Sequence, residues 1–503
     1  MPDATTIHPK ESTPLTAAHS ADDGGGALPL CGGCATIRSR RRASLLTVTL
    51  VFFSLVMVAS TMMTLPTALP ALKRRDDIRD SVVVELPFVG GFFYAVGKAL
   101  SIAANYHLGP RGVLVYIQGL LGAAFLVIFT VDVGALSWVL LYVGWSGASL
   151  AIAHGWSASC RIAACWVDAE HVGRTMSLFG IAMDAGGAGA AFVFSWLVDG
   201  SWRAPFWLAA GCLVALAATL ELFLRSSSIE VGFRPPRAPA VKSSGSDAGA
   251  QPLAKDDAAE SASGGSGGGA APAGGGGAGV HPLDALTPWQ AALVLLRCPR
   301  VWLATLACSG YGVVFAATTT YLPLYATERL GASDGDAARL LTFALVGALL
   351  GDLGGGPAMD ALRPSSAVAL TLGLNGVGAA AMIVWFVLEV SPGDAAEPPY
   401  AVVAGVSTAI SLGVAWSWNV WVGAFQMRHG GPTHSATLTA VMDIASIALR
   451  VPGFLAVGLF ATHGEWASTV AVLVALLLLG HALMAAFLVS DLRLGGALPR
   501  VDR

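Results

Sequence analysis

Twelve times along this chain, more than twenty predominantly apolar residues follow one another, and this repetition restricts the fold more than any other feature. The runs cover roughly 43–71, 84–106, 112–133, 136–160, 174–199 and 203–225, then 300–326, 338–359, 366–390, 400–427, 435–461 and 465–490. A hydrocarbon core about 30 Å thick is crossed by about 20 such residues in a helix. Within lipid a helix satisfies its own backbone groups, so irregular chain is excluded there. Soluble domains carry about 25% charged residues; here the fraction is 12%, with mean hydropathy +0.66. The expectation is an all-α polytopic membrane protein with twelve transmembrane helices.

The runs fall into two sets of six. Residues 1–42 are polar and Gly-containing and read as a disordered tail. The bundles are expected at 43–225 and 299–490, with a short tail over 491–503. Between them, 226–298 contains a Gly-rich stretch that cannot bury a core and reads as a flexible linker. Its end, Thr287-Pro288-Trp289-Gln290, has the pattern of a capping box and predicts a short interfacial helix. Arg38, Arg40, Arg41 and Arg42 precede the first run, which places both termini in the cytoplasm. Arg111, Arg161, Arg174, Arg225, Arg363, Arg428 and Arg493 then fall in inner turns. Cys31 and Cys34 supply two thiols where zinc takes four ligands, so no metal is expected. No basic run interleaved with aromatics points to nucleic acid. No nucleophile–base set or phosphate-cradling loop points to an enzyme or a cofactor.

The two halves echo each other. Lys98 lies eight residues before Tyr106 in span two, and Asp352 lies eight residues before Asp360 in span eight. Ala182-Met183-Asp184 in span five matches Val441-Met442-Asp443 in span eleven. These are equivalent ordinal positions, which predicts two pseudo-symmetric six-helix bundles around a site near the midplane. Intramembrane charges are expensive and therefore functional candidates. Lys98 suits an anion or a coupling role; its structural alternative is an ion pair with Asp184. Asp184, Asp352 and Asp443 suit coupling or charge balance. Arg450, seven residues after Asp443 and on the same face, suits a substrate or Asp443 itself. Tyr321 in span seven and Asn419 in span ten suit a polar cavity wall; helix packing is the alternative for both.

Several of these motifs together resemble the major facilitator superfamily, and within it the organophosphate:phosphate antiporters. Gly97-Lys98 with Gly109-Pro110-Arg111 resembles the second helix and its following turn. Gly155-Trp156 through Arg161 to Trp166, with Gly173-Arg174 and Ser177, resembles the fourth helix and the next loop. Gly186-Gly187, Ser201-Trp202-Arg203 and Tyr321-Leu322-Pro323 follow in the family's order. The resemblance implies Arg111 and Asp360 as gating turns. It also implies an Arg in helices one and seven, yet Thr61–Met62 and Phe315 stand there. Met183 replaces a His, and Tyr106 replaces the acidic residue of the inner turn.

The expected function is secondary-active transport of a small polar solute, an organic anion or phosphorylated metabolite, by exchange or proton coupling. Its partners would be that solute, membrane lipid, and a proton or counter-substrate. The rival readings are proton-coupled transport of a neutral or cationic solute, and a non-transporting membrane sensor.

Overall fold

The structure, a computed structural model, describes residues 28–30, 35–37, 39–74, 80–133, 136–168, 171–234, 283, 286–391 and 398–493. Cys31, Cys34 and most of the 226–298 stretch lie outside them. Within the N-terminal tail, Leu28–Leu30 and Ala35–Ile37 pair as two short antiparallel strands, where sequence composition gave only disorder. Among the described residues everything else of regular structure is helical.

Eleven helices among the described residues are long and apolar enough to cross a bilayer. Spans one to three are Arg40–Lys73, Asp80–His107 and Gly109–Phe129. Spans five and six are Val172–Val198 and Ala204–Phe223. Spans seven to nine are Pro299–Arg329, Asp334–Ala361 and Pro364–Val390, and span twelve is Trp466–Arg493. The remaining crossing, span four, is made by two shorter helices in tandem, Ser137–Ile152 and Gly155–Trp166. At the break between them, His154 Nδ1 donates to the Leu150 carbonyl at 3.0 Å. Arg161 therefore lies inside a helix rather than in an inner turn, and its guanidinium donates to the Asn105 carbonyl of span two.

Span ten begins as Tyr400–Ala415 and widens into a π-helical segment, Trp416–Val422. Helical backbone then continues over Gly423–Thr462. That stretch must reverse direction. Thr439 Oγ1 donates to Gln426 Oε1 at 3.2 Å across 13 residues, which a straight helix would separate by about 20 Å. Span eleven is the portion after the reversal. Before span seven, Thr287 and Gln290 close the capping box of the helix Pro288–Leu296: Gln290 N donates to Thr287 Oγ1 at 3.4 Å, and Thr287 N donates to Gln290 Oε1 at 2.9 Å.

The two halves meet along two seams. Span five packs on span eight, and span two packs on span eleven. At the face opposite the termini, ion pairs clasp the halves: Lys73 with Glu328, and Arg74 with Asp334. Asp199 Oδ1 also accepts from the Gly335 amide at 3.2 Å. That amide belongs to the first turn of span eight, where free N–H groups favour a carboxylate.

Candidate functional site

Between the bundles lies a cavity of about 330 Å³. Its walls are mostly apolar, with Met62, Met63, Phe315 and Phe454 among them. Charged and amide side chains open on it at Lys98, Asp184, Asn419, Gln426, Asp443 and Arg450, and hydroxyl groups at Tyr94, Ser149, Thr319 and Thr320.

Lys98 is 1% exposed, and its Nζ lies 2.7 Å from Asp443 Oδ2. The ammonium also sits 5.3 Å from the centre of the Tyr94 ring, one helical turn earlier. The ion-pair partner is thus Asp443 and not Asp184. The seams decide this: span two abuts span eleven, whereas span five abuts span eight.

Arg450 is held from its own helix. Its Nε and Nη2 donate to Ser446 Oγ at 2.9 and 2.6 Å, one turn back. The guanidinium carbon lies 4.6 Å from the centre of the Trp418 ring. Among the described residues Arg450 forms no ion pair, so the alternative of a direct bond to Asp443 is not realised. Its far side rests on span seven at Gly312, where a side-chain carbon would collide with the guanidinium. Gly312→Ala should therefore push the guanidinium off its place beside Ser446 and Trp418 and lower solute uptake with little change in stability; uptake measured beside a melting curve in detergent checks this.

Asp184 and Asp352 are 4% and 0% exposed. Their carboxyl groups both sit at the seam of spans five and eight. Asp352 Oδ2 accepts from Asn419 Nδ2 at 2.8 Å, and Ser177 Oγ donates to the Asp352 backbone carbonyl. The other oxygens, Asp184 Oδ2 and Asp352 Oδ1, have no hydrogen-bond donor. Gly180, one turn before Asp184, leaves the space that the Asp352 carboxyl fills. Asp184 borders the cavity, whereas Asp352 lies behind it.

Three other candidates sit elsewhere. Tyr321 is 2% exposed and stacks behind Phe454, with 5.5 Å between ring centres, so it does not reach the cavity wall. Threonines 319 and 320 of that helix do reach it. Arg111 bonds to Glu221 at 2.9 Å, within its own half. The Asp360 side chain lies outside the described residues, though its backbone ends span eight.

Sequence reasoning passed over Tyr94, Ser446 and Gln426. The first two stand four residues before Lys98 and Arg450, a spacing that puts them on the same face as the charge. Gln426 carried no comparable signal, because only the chain reversal brings it to Thr439.

The Major Facilitator Superfamily model matches residues 50–449. The human organic anion transporter MFSD10 (TETRAN) is similar in structure, with a TM-score of 0.58 at 15% identity over 88% of this chain and 99% of that one. The proton:xylose symporter XylE, bound to 6-bromo-6-deoxy-D-glucose, is also similar, with a TM-score of 0.58 at 11% identity over 90% of this chain and 97% of that one. A search of curated protein sequences finds no match. At such identities the structural likeness speaks for the fold alone, and it agrees with the all-helical membrane architecture. By the family match over most of its length, this chain belongs to the Major Facilitator Superfamily, whose members carry small solutes across membranes.

Proposed function

We propose that the protein transports a small organic monoanion with an apolar body, by alternating access of the bundles 43–225 and 299–490 about the central cavity. Arg450 carries the reading. It is a cavity-lining guanidinium with no carboxylate bonded to it among the described residues, and it is stacked on Trp418. Lys98 is already bonded to Asp443, which leaves Arg450 as the cavity cation with no carboxylate bonded to it among the described residues. One carboxylate matches one guanidinium in a bidentate pair. The Phe315, Phe454 and Trp418 faces suit the remainder of the solute. A dianionic phosphate ester would bring a second charge with no partner, and a buried unpaired charge is costly. This favours a carboxylate over the ligands of the organophosphate:phosphate antiporters. One structurally similar protein is described as an organic anion transporter, which is consistent with this choice.

In this reading Lys98 and Asp443 hold the seam of spans two and eleven, and Asn419 lies between the cavity and Asp352. Arg111 and Asp360 mark the gating turns. Both termini and the 226–298 linker face the cytoplasm, following the arginines before span one. The carboxyl pair of spans five and eight favours a second reading, proton coupling, developed below. Uptake into proteoliposomes tests the assignment. Aromatic monocarboxylates should accumulate and compete with one another, while phosphate monoesters should not. Preferred uptake of a phosphate ester, or of a neutral solute indifferent to monocarboxylates, would overturn it.

A further inference from the structure

Two side-chain pairs bridge the bundles near mid-depth, and the pseudo-two-fold relation of the halves exchanges them. Span two corresponds to span eight, and span five to span eleven. Lys98 with Asp443 on one seam therefore matches Asp352 with Asp184 on the other. Where the first seam joins a cation to an anion, the second sets two carboxyl groups face to face.

Among the described residues, no cation is bonded to either carboxyl group to balance a double negative charge there. Asp184 is the only charged residue between Arg174 and Asp199 in span five, and Asp352 is the only one between Arg339 and Asp360 in span eight. Span one, which packs on both, has none between Arg42 and Lys73, and span ten has none from Tyr400 to Gln426. The helical stretch Gly423–Thr462 brings Arg428, whose side chain lies outside the described residues, and His429, His434, Asp443 and Arg450. Of these, Asp443 is bonded to Lys98 and Arg450 to Ser446; His429 and His434 each take part in an interaction, and neither is observed as a donor to the two carboxyl groups. Among the described residues the single side-chain donor to the pair is the Asn419 amide, on Asp352 Oδ2. Asp184 Oδ2 and Asp352 Oδ1 are buried and lack a donor.

A hydrogen atom on one of those oxygens supplies the missing donor and removes one of the two charges. Two carboxyl groups at one buried site hold a single proton between them for this reason. We propose that Asp184 and Asp352 form a one-proton latch between the bundles. With the proton in place, one O–H donates across the seam and the halves stay joined. Loss of the proton to water leaves two carboxylates facing each other, which repel and part spans five and eight. The route for that proton is the cavity, since Asp184 borders it. The Lys98–Asp443 seam needs no such proton. The inference stands on the pair itself and does not rest on which solute is carried.

Infrared spectroscopy of the full chain in lipid nanodiscs tests it without any substrate. At neutral pH the wild type should show a carboxylic-acid C=O stretch that disappears on alkaline titration. Asp184→Asn and Asp352→Asn should each abolish that band. Each keeps the shape of the side chain and supplies an amide that can donate to the remaining carboxylate, so the fold should persist. Melting temperature gives a second readout: it should fall at alkaline pH in the wild type and stay level in Asp184→Asn. A wild type without the band, or a band that survives in both variants, would overturn the proposal. So would a sodium-dependent rise in melting temperature that Asp184→Asn removes, because the site would then hold a metal cation in place of the proton.

Discussion

Asp443→Ala is expected to destabilise the protein more than any other single change at the cavity. It strands Lys98, 1% exposed, without the carboxylate now 2.7 Å from its amine. Breaking a buried pair by removing one partner costs about 3–5 kcal/mol. Asp443 itself is 21% exposed to the cavity, so water can reach the vacated place and the lower end, about 3 kcal/mol, applies. The Tyr94 ring returns only a fraction of that, since a cation–π contact gives about 0.5–2 kcal/mol. Lys98→Ala combined with Asp443→Ala should be more stable than Asp443→Ala alone, because no buried charge is then left over. Melting curves of the wild type, both single variants and the double variant close the thermodynamic cycle. An Asp443→Ala protein as stable as the wild type would refute the pairing.

Arg450→Met should do the opposite: abolish transport and leave stability unchanged or improved. The guanidinium is fixed by Ser446 and Trp418 and bonds no described carboxylate. Exchanging it for an apolar chain of similar reach removes a buried charge, which is often neutral or stabilising. Solute binding should suffer, because truncating one member of a buried charged hydrogen-bonded pair costs about 2–5 kcal/mol. Even the smaller figure corresponds to about a 30-fold loss of affinity. Uptake of a labelled aromatic monocarboxylate, measured beside the melting curve, separates the two effects. A variant that melts early and transports normally would show that Arg450 serves packing.

The twelve helices were legible because lipid imposes one signal on every crossing: a long apolar run. The depth of Lys98, Asp184, Asp352 and Asp443 was legible for the same reason, since each interrupts such a run. Their partners were not. Lys98 and Asp443 lie 345 residues apart, and which helices abut depends on how two bundles dock. Tyr321 reads as polar at the right depth, yet helix rotation turns it behind Phe454. The break in span four falls at Ala153–His154, where no proline announces it. The widened turn at Trp416–Val422 is equally silent in composition, although it carries Trp418 and Asn419 at the cavity. Period and hydropathy describe a helix in isolation, whereas rotation and register arise from its neighbours.

The clasp opposite the termini has a consequence for the medium on that side. Arg74 is 59% exposed, and Lys73 and Glu328 are 22% and 27% exposed, so dissolved ions reach both bridges. Screening shortens the reach of such charges from about 10 Å at 0.1 M salt to about 3 Å at 1 M. Brine on that side alone should weaken the hold there and ease opening toward it, while the pairs sealed at mid-depth feel no change. An electrolyte imbalance between the two compartments would in this way bias which door stands ajar, with no solute or proton involved.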